Sequence, residues 1–296
     1  MNDQQLIALD ALRASLIDAE ASDPTYALIV SYDGTNYAGY ARQTDPPQRT
    51  IQDDLERALT TVLRVPTGSL LTTVAGRTDA GVHAFGQVVS FTPPAAQGAE
   101  LFTPTGLAPF LRSLNALTPH DISVRALRAV PPGFSARFDA LSREYRYRIS
   151  VAPTPPLFAR RYVWHLPGFG AGAARREQLR RAVAVLIGEH DFSSFAVAAS
   201  IAGKNPVRQI FSIDVVDAEF FGEPLVEIRI VGTAFLHSMV RVIVGTLAAI
   251  DTGRIAADSM ADILAARARG AAGQTAPASG LTFFGATYET FSSASS

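Results

Sequence analysis

Apolar positions along this chain follow two rhythms, and their alternation predicts the order of the elements. The run Ala27, Leu28, Ile29 and Val30 between Tyr26 and Tyr32 reads as a core strand, closed by the turn signal Asp33-Gly34-Thr35-Asn36. After Thr50 the spacing lengthens. Ile51, Leu55, Leu59, Val62 and Leu63 recur with the period of a helix face, and Thr50 with Asp53 three residues later resembles a capping box. Strands are expected at 69–74 and 87–91, a helix at 106–117 beyond a Pro-rich stretch at 92–105, and a strand at 122–129. That order is β-α-β-β-α-β, the ferredoxin-like unit.

The second part repeats the order without repeating the sequence. A strand at 144–151 precedes a helix at 175–187, strands at 209–217 and 225–231, helices at 235–250 and 258–269, and a last strand at 281–288. The pattern predicts an α+β protein of two ferredoxin-like halves, each an antiparallel mixed sheet flanked by helices, with a cleft between them. The expected divisions are an N-terminal helical extension at 1–23, one α+β domain at 24–133, a second at 134–290, and a flexible tail at 291–296. The boundary near 133 is the turn Pro131-Pro132-Gly133.

Composition narrows the classes. A chain of 296 residues, 48% of them hydrophobic, can bury two cores. The most apolar stretch, 235–250, is interrupted by His237 and Arg241, so no membrane span is expected, and the N-terminus lacks the basic-then-apolar order of a secretory signal. Cytoplasmic residence is the default expectation. Without cysteine there is no disulfide, no thiolate nucleophile and no sulfur-ligated metal, and the five histidines are scattered, so no metal site is expected.

The formal charge of −1 does not advertise a nucleic-acid binder, but it is unevenly spread. Residues 1–23 carry five acids against Arg13, a net of −4, which leaves +3 for the remainder. Arg137, Arg143, Arg146, Arg148, Arg160 and Arg161 face only Asp139 and Glu144 between them. A basic surface is therefore available locally. All 26 basic residues except Lys204 are arginine, which suits phosphate contact and stacking, although a codon bias explains the preference equally well.

The candidate chemistry centres on Ala75-Gly76-Arg77-Thr78-Asp79-Ala80-Gly81-Val82-His83, expected as a loop between two strands. Its glycines suit a backbone that turns sharply and lets another group come close. Arg77, two residues from Asp79, would favour the ionised carboxylate. Spacing alone also admits an ordinary turn bearing a surface ion pair.

These nine residues, continuing into Gly86-Gln87-Val88-Val89, resemble the signature loop of the tRNA pseudouridine synthase A family. Further matches follow in the family's order from about Tyr26 to Tyr288. The resemblance implies the pseudouridine synthase fold with a central RNA-binding cleft, Asp79 as catalytic nucleophile, and no cofactor. It implies conversion of uridine to pseudouridine in the anticodon stem-loop of tRNA, by a homodimer that holds one tRNA across both subunits.

Arg143-Glu144-Tyr145-Arg146-Tyr147 is similar to the family's Arg-x-Tyr-x-Tyr motif. The resemblance makes Tyr145 the residue that stacks on the target base; the residues alone leave open a tyrosine packed in the core. Thr233 to Arg241 resembles the family's motif at the start of the long second-domain helix, which would set Arg241 beside Asp79; an arginine on an otherwise apolar helix favours a carboxylate partner, with a helix-surface charge as the alternative. By the same resemblance Arg77 contacts substrate phosphate or fills the space of an extruded base, and Arg42 and Gln43 lie near the RNA or the cleft. The chain departs from the family at Tyr40, where tryptophan is usual, at Glu144, where a basic residue is common, at His237-Ser238, where two histidines often stand, and at Phe283-Phe284. Phe192 and Phe195 are read as core.

Two other classes compete. A non-catalytic RNA-binding module on this scaffold would show stacked aromatics on its sheet, and Gln87-Val88-Val89-Ser90-Phe91 offers one. A carboxylate-dependent glycosidase would need a second acid to work with Asp79, and no convincing partner is visible in the sequence.

Overall fold

In the computed structural model, residues 24–94, 103 and 106–295 are described. The extension expected at 1–23 lies outside the described residues, as does most of 92–105. The first strand, β1 (Thr25–Tyr32), is buried along nearly its whole length. Two short strands, β2 (Gln43–Thr44) and β3 (Pro47–Gln48), lead to α1 (Ile51–Leu63). Thr50 caps that helix as its sequence suggests, its side chain accepting from the Asp53 amide at 3.3 Å. Ile51, Leu55, Leu59 and Leu63 form the buried face.

The first half continues through β4 (Thr72–Val74), β5 (His83–Phe91), α2 (Leu107–Leu117) and β6 (Ile122–Val130). The second runs through β7 (Ser142–Ser150), β8 (Trp164–His165), α3 (Ala173–Ala184), β9 (Gly188–Asp191), α4 (Ala198–Ile201) and β10 (Val207–Phe220). It ends with β11 (Glu223–Gly232), α5 (Met239–Asp251), α6 (Met260–Ala266) and β12 (Leu281–Thr287).

The strands form one ten-stranded sheet in the order β6-β1-β5-β12-β7-β11-β10-β9, with β4 on β5 and β8 on β7. Within it, β6-β1-β5-β4 and β12-β7-β11-β10 are the same antiparallel arrangement made twice. The expected α+β fold with a mixed sheet and flanking helices is present, as a single continuous sheet rather than two separate ones. The join is β12, which pairs in parallel with β5 through Thr282–His83 and Phe283–Ala84. That contact exists because β5 begins at His83, four residues earlier than the apolar pattern predicts, and so offers an edge beyond the end of β4. The loop carrying Asp79 thus opens beside the seam where the two halves meet.

A second boundary differs in a way that matters. The helix expected from 235 starts at Met239, because Ser238 takes a left-handed φ of 61° that a right-handed helix cannot include. Residues 233–238 form a loop instead. Beyond it α5 is buried almost throughout and packs on α3 and β7, each buried aliphatic side chain contributing about 1.5–3 kcal/mol. Phe192 and Phe195 are core residues, as expected. Within the stretch expected as a tail, buried Ser293 donates to the Gly86 carbonyl at 2.7 Å, and Phe291 stacks on Tyr288. Among the described residues no helix is long and apolar enough to cross a membrane.

Candidate active site

Asp79 sits on the loop between β4 and β5, at the floor of a cleft of about 1200 Å³. That volume exceeds the roughly 300–1,000 Å³ of ordinary small-molecule sites. The carboxylate is held from the other half of the chain. Arg241, in the first turn of α5, donates from Nη1 to Oδ2 at 2.8 Å, and its Nε donates to the Ala276 carbonyl at 2.9 Å. Ser238 donates from Oγ to the same Oδ2 at 2.8 Å. The Nε2 of His237 lies 3.3 Å from Oδ1. Asp79 and Arg241 are mostly enclosed, their side chains 20% and 18% exposed. A guanidinium so enclosed on an apolar helix requires a partner, and the carboxylate is that partner.

The loop is fixed at many points. Gly81 takes φ +76°, which a side chain would strain, and a Cβ on Gly76 would meet the Tyr145 hydroxyl and the Phe283 ring at 3.3 and 3.2 Å. Gln87 donates to the Gly76 carbonyl at 2.8 Å, and the Thr78 hydroxyl meets that of Tyr32 at 2.8 Å. Arg143 contributes most. Its buried guanidinium donates to the carbonyls of Ala75 (3.1 Å), Ala140 (3.0 Å) and Thr233 (2.5 Å), and to that of Arg137. One side chain therefore ties the start of the Asp79 loop to the start of the loop that delivers Ser238 and Arg241. Burial pushes the Arg143 pKa below its ordinary value, and the carbonyls supply the solvation that water does not.

Tyr145, on β7, points into the same cleft and is nearly buried. Its ring makes edge contacts with Phe235 and Phe283, at 5.0 and 5.2 Å between centroids. Burial raises its pKa well above the ordinary phenol value, with neighbouring Tyr32 and Asp79 adding to the shift, so the hydroxyl stays protonated at neutral pH. Arg77 lines the cleft and is exposed; it makes no ion pair among the described residues. The guanidinium beside Asp79 is thus not that of Arg77, to which sequence spacing points, but that of Arg241, 162 residues away.

Among the described residues lining the cleft, Asp79 is the sole carboxylate, against six cationic side chains: Arg77, Arg137, Arg143, Lys204, Arg208 and Arg241. Phe138 stands at the same cleft with 78% of its surface exposed, under the guanidinium of Arg137. Gln43 lines the cleft, but Arg42 turns away to bind Asp53 and Glu56 on α1. Arg146 and Arg148 also face elsewhere, pairing with Glu144 and Glu227 across the opposite side of the sheet. Sequence reasoning missed Ser238 and the stapling role of Arg143. The first shows only as a helix break; the second is hidden because a cation bonded to carbonyls leaves no charge pattern.

A family model described as tRNA pseudouridine synthase matches residues 182–289. The chain is 41% identical over 264 residues to a tRNA pseudouridine synthase A of Bacillus licheniformis, covering 88% of this chain and 97% of the relative. Against the protein of the same name from Bacillus subtilis the identity is 38%, with the same coverage. Against that of Burkholderia cenocepacia it is 42% over 257 residues, 86% of each chain.

Proposed function

Because the chain belongs to the tRNA pseudouridine synthase A family, an isomerase family acting on tRNA, we propose that it modifies uridines of the anticodon stem-loop, positions thirty-eight to forty, with Asp79 as nucleophile. The observation that carries this reading is the single carboxylate ion-paired inside a cleft otherwise lined by cations. Cations suit a phosphate backbone, and an isolated carboxylate among them is the group left to do chemistry.

The reaction breaks the bond from ribose C1′ to N1 of uracil, turns the base, and joins C1′ to C5. The proton on C5 leaves and N1 gains one, so atoms and electrons balance with no external reagent. Asp79 is available to bond the sugar or the base while the glycosidic bond is open. Tyr145, a protonated aromatic beside it, would hold the detached ring and pass a proton. Arg77, unpaired by protein among the described residues, would take a phosphate or the space of the extruded base. Arg241 would keep Asp79 aligned.

The glycosidase alternative loses support, since no second carboxylate lines the cleft among the described residues. We read residues 24–133 as the part bearing the nucleophile and 134–290 as the part bearing its arginine. The family resemblance further supports a cytoplasmic homodimer; light scattering giving twice the chain mass agrees with it, and a monomer at working concentration opposes it.

The test uses tRNA transcripts with one anticodon-arm uridine retained at a time. Pseudouridine, read chemically after incubation with the protein, is expected at each of the three positions. Product confined to uridines outside that arm would overturn the site assignment, and no product on any tRNA would overturn the activity.

A further inference from the structure

Ser238 is the N-cap residue of α5, yet its side chain makes no capping hydrogen bond. A serine at that position ordinarily takes an extended backbone and accepts from an amide in the first turn. Here φ is 61° and ψ is 8°, the left-handed region that side chains other than glycine avoid. The hydroxyl forgoes the cap and reaches across to Asp79 Oδ2, at 2.8 Å. Two locally unfavourable choices at one residue, both ending on the same carboxylate oxygen, call for a compensating role.

The geometry at Asp79 supplies one. Oδ2 accepts from two directions, from Arg241 Nη1 and Ser238 Oγ, each at 2.8 Å. Rotation of the carboxylate would break both bonds together. Oδ1 faces His237 Nε2 at 3.3 Å, on a side chain that is 51% exposed. We propose that Ser238 is a positioning residue which, with Arg241, locks Oδ2 and presents Oδ1 as the oxygen that reacts. This rests on Asp79 being the reacting carboxylate.

Two substitutions separate the hydroxyl from the backbone it requires. S238A removes the hydroxyl and keeps the strain, while S238G removes both, because glycine adopts positive φ freely. Single-turnover rate at saturating tRNA, tRNA affinity and thermal midpoint are measured on the full chain. Both variants are expected to slow the chemical step roughly ten- to a hundred-fold, as loss of a hydrogen bond to a charged group implies, with tRNA affinity unchanged. S238G is expected to melt above S238A. If Ser238 serves only to shape the turn, S238G will keep the wild-type rate, and that result overturns the proposal. Its failure is distinct from failure of the functional reading: D79N as active as wild type removes the premise, whereas D79N inactive with S238G fully active removes Ser238 alone.

Discussion

Both faces of β7 carry arginine and use it in opposite ways. On one, Arg143, Tyr145 and Tyr147 are buried and turned to the cleft side or to the core. On the other, Glu144, Arg146 and Arg148 join Glu227 and Arg229 in a chain of ion pairs, with Arg146 lying 3.3 Å over the ring of Phe284. The arginines of the outer face spend their charge on carboxylates. The arginine of the inner face spends its donors on carbonyls and so orders two loops. A count of basic residues cannot separate these roles; the two-residue period of a strand can.

That contrast is open to test. The largest effect is expected at the ion pair the inner face helps to assemble. Arg241→Leu leaves a mostly enclosed carboxylate with its charge partner gone, and should lower the single-turnover rate by about 10²-fold or more, since losing one member of such a pair costs roughly 2–5 kcal/mol. Arg143→Ala comes next. Four carbonyls lose a shared donor, so urea denaturation should show a stability loss of roughly 2–5 kcal/mol, whereas Arg148→Ala on the outer face should cost less, because its partner Glu227 keeps Arg229 and Arg146. Equal losses from the two would erase the distinction between the faces.

Smaller effects should appear in substrate binding. Phe138→Ala removes an exposed ring at the cleft, and a base stacked there is worth about 1–3 kcal/mol, so tRNA affinity should fall by about ten-fold while the saturated rate holds. The smallest is a salt slope. Lys204→Ala should reduce the dependence of log affinity on log salt by about one phosphate contact, and Arg148→Ala should leave it unchanged. A slope altered by Arg148 would move RNA to the outer face.

Much of this fold was legible in local pattern. The alternation in 144–150 identifies a strand with a wet and a dry face, and the spacing from Ile51 to Leu63 identifies α1 and its cap. What local pattern could not supply is long range. Nothing in the neighbourhood of His83 announces that its backbone will pair with Thr282, so the start of β5 and the single sheet were missed. The apolar run after Phe235 carries no sign that Ser238 will turn left-handed, and its hydroxyl partner is a carboxylate 159 residues earlier. The pairing of Asp79 with Arg241 came from family resemblance, and spacing alone pointed to Arg77 instead. Site geometry in this chain is built by contacts between the halves, and such contacts have no period to read.

The most direct measurement replaces the carboxylate with its uncharged isostere. Asp79→Asn should bind anticodon-arm tRNA as the wild type does and form pseudouridine on the order of 10⁶-fold more slowly or not at all, as loss of a nucleophile implies. Product at the wild-type rate from Asp79→Asn, with the protein folded and tRNA bound, would contradict the account at its centre.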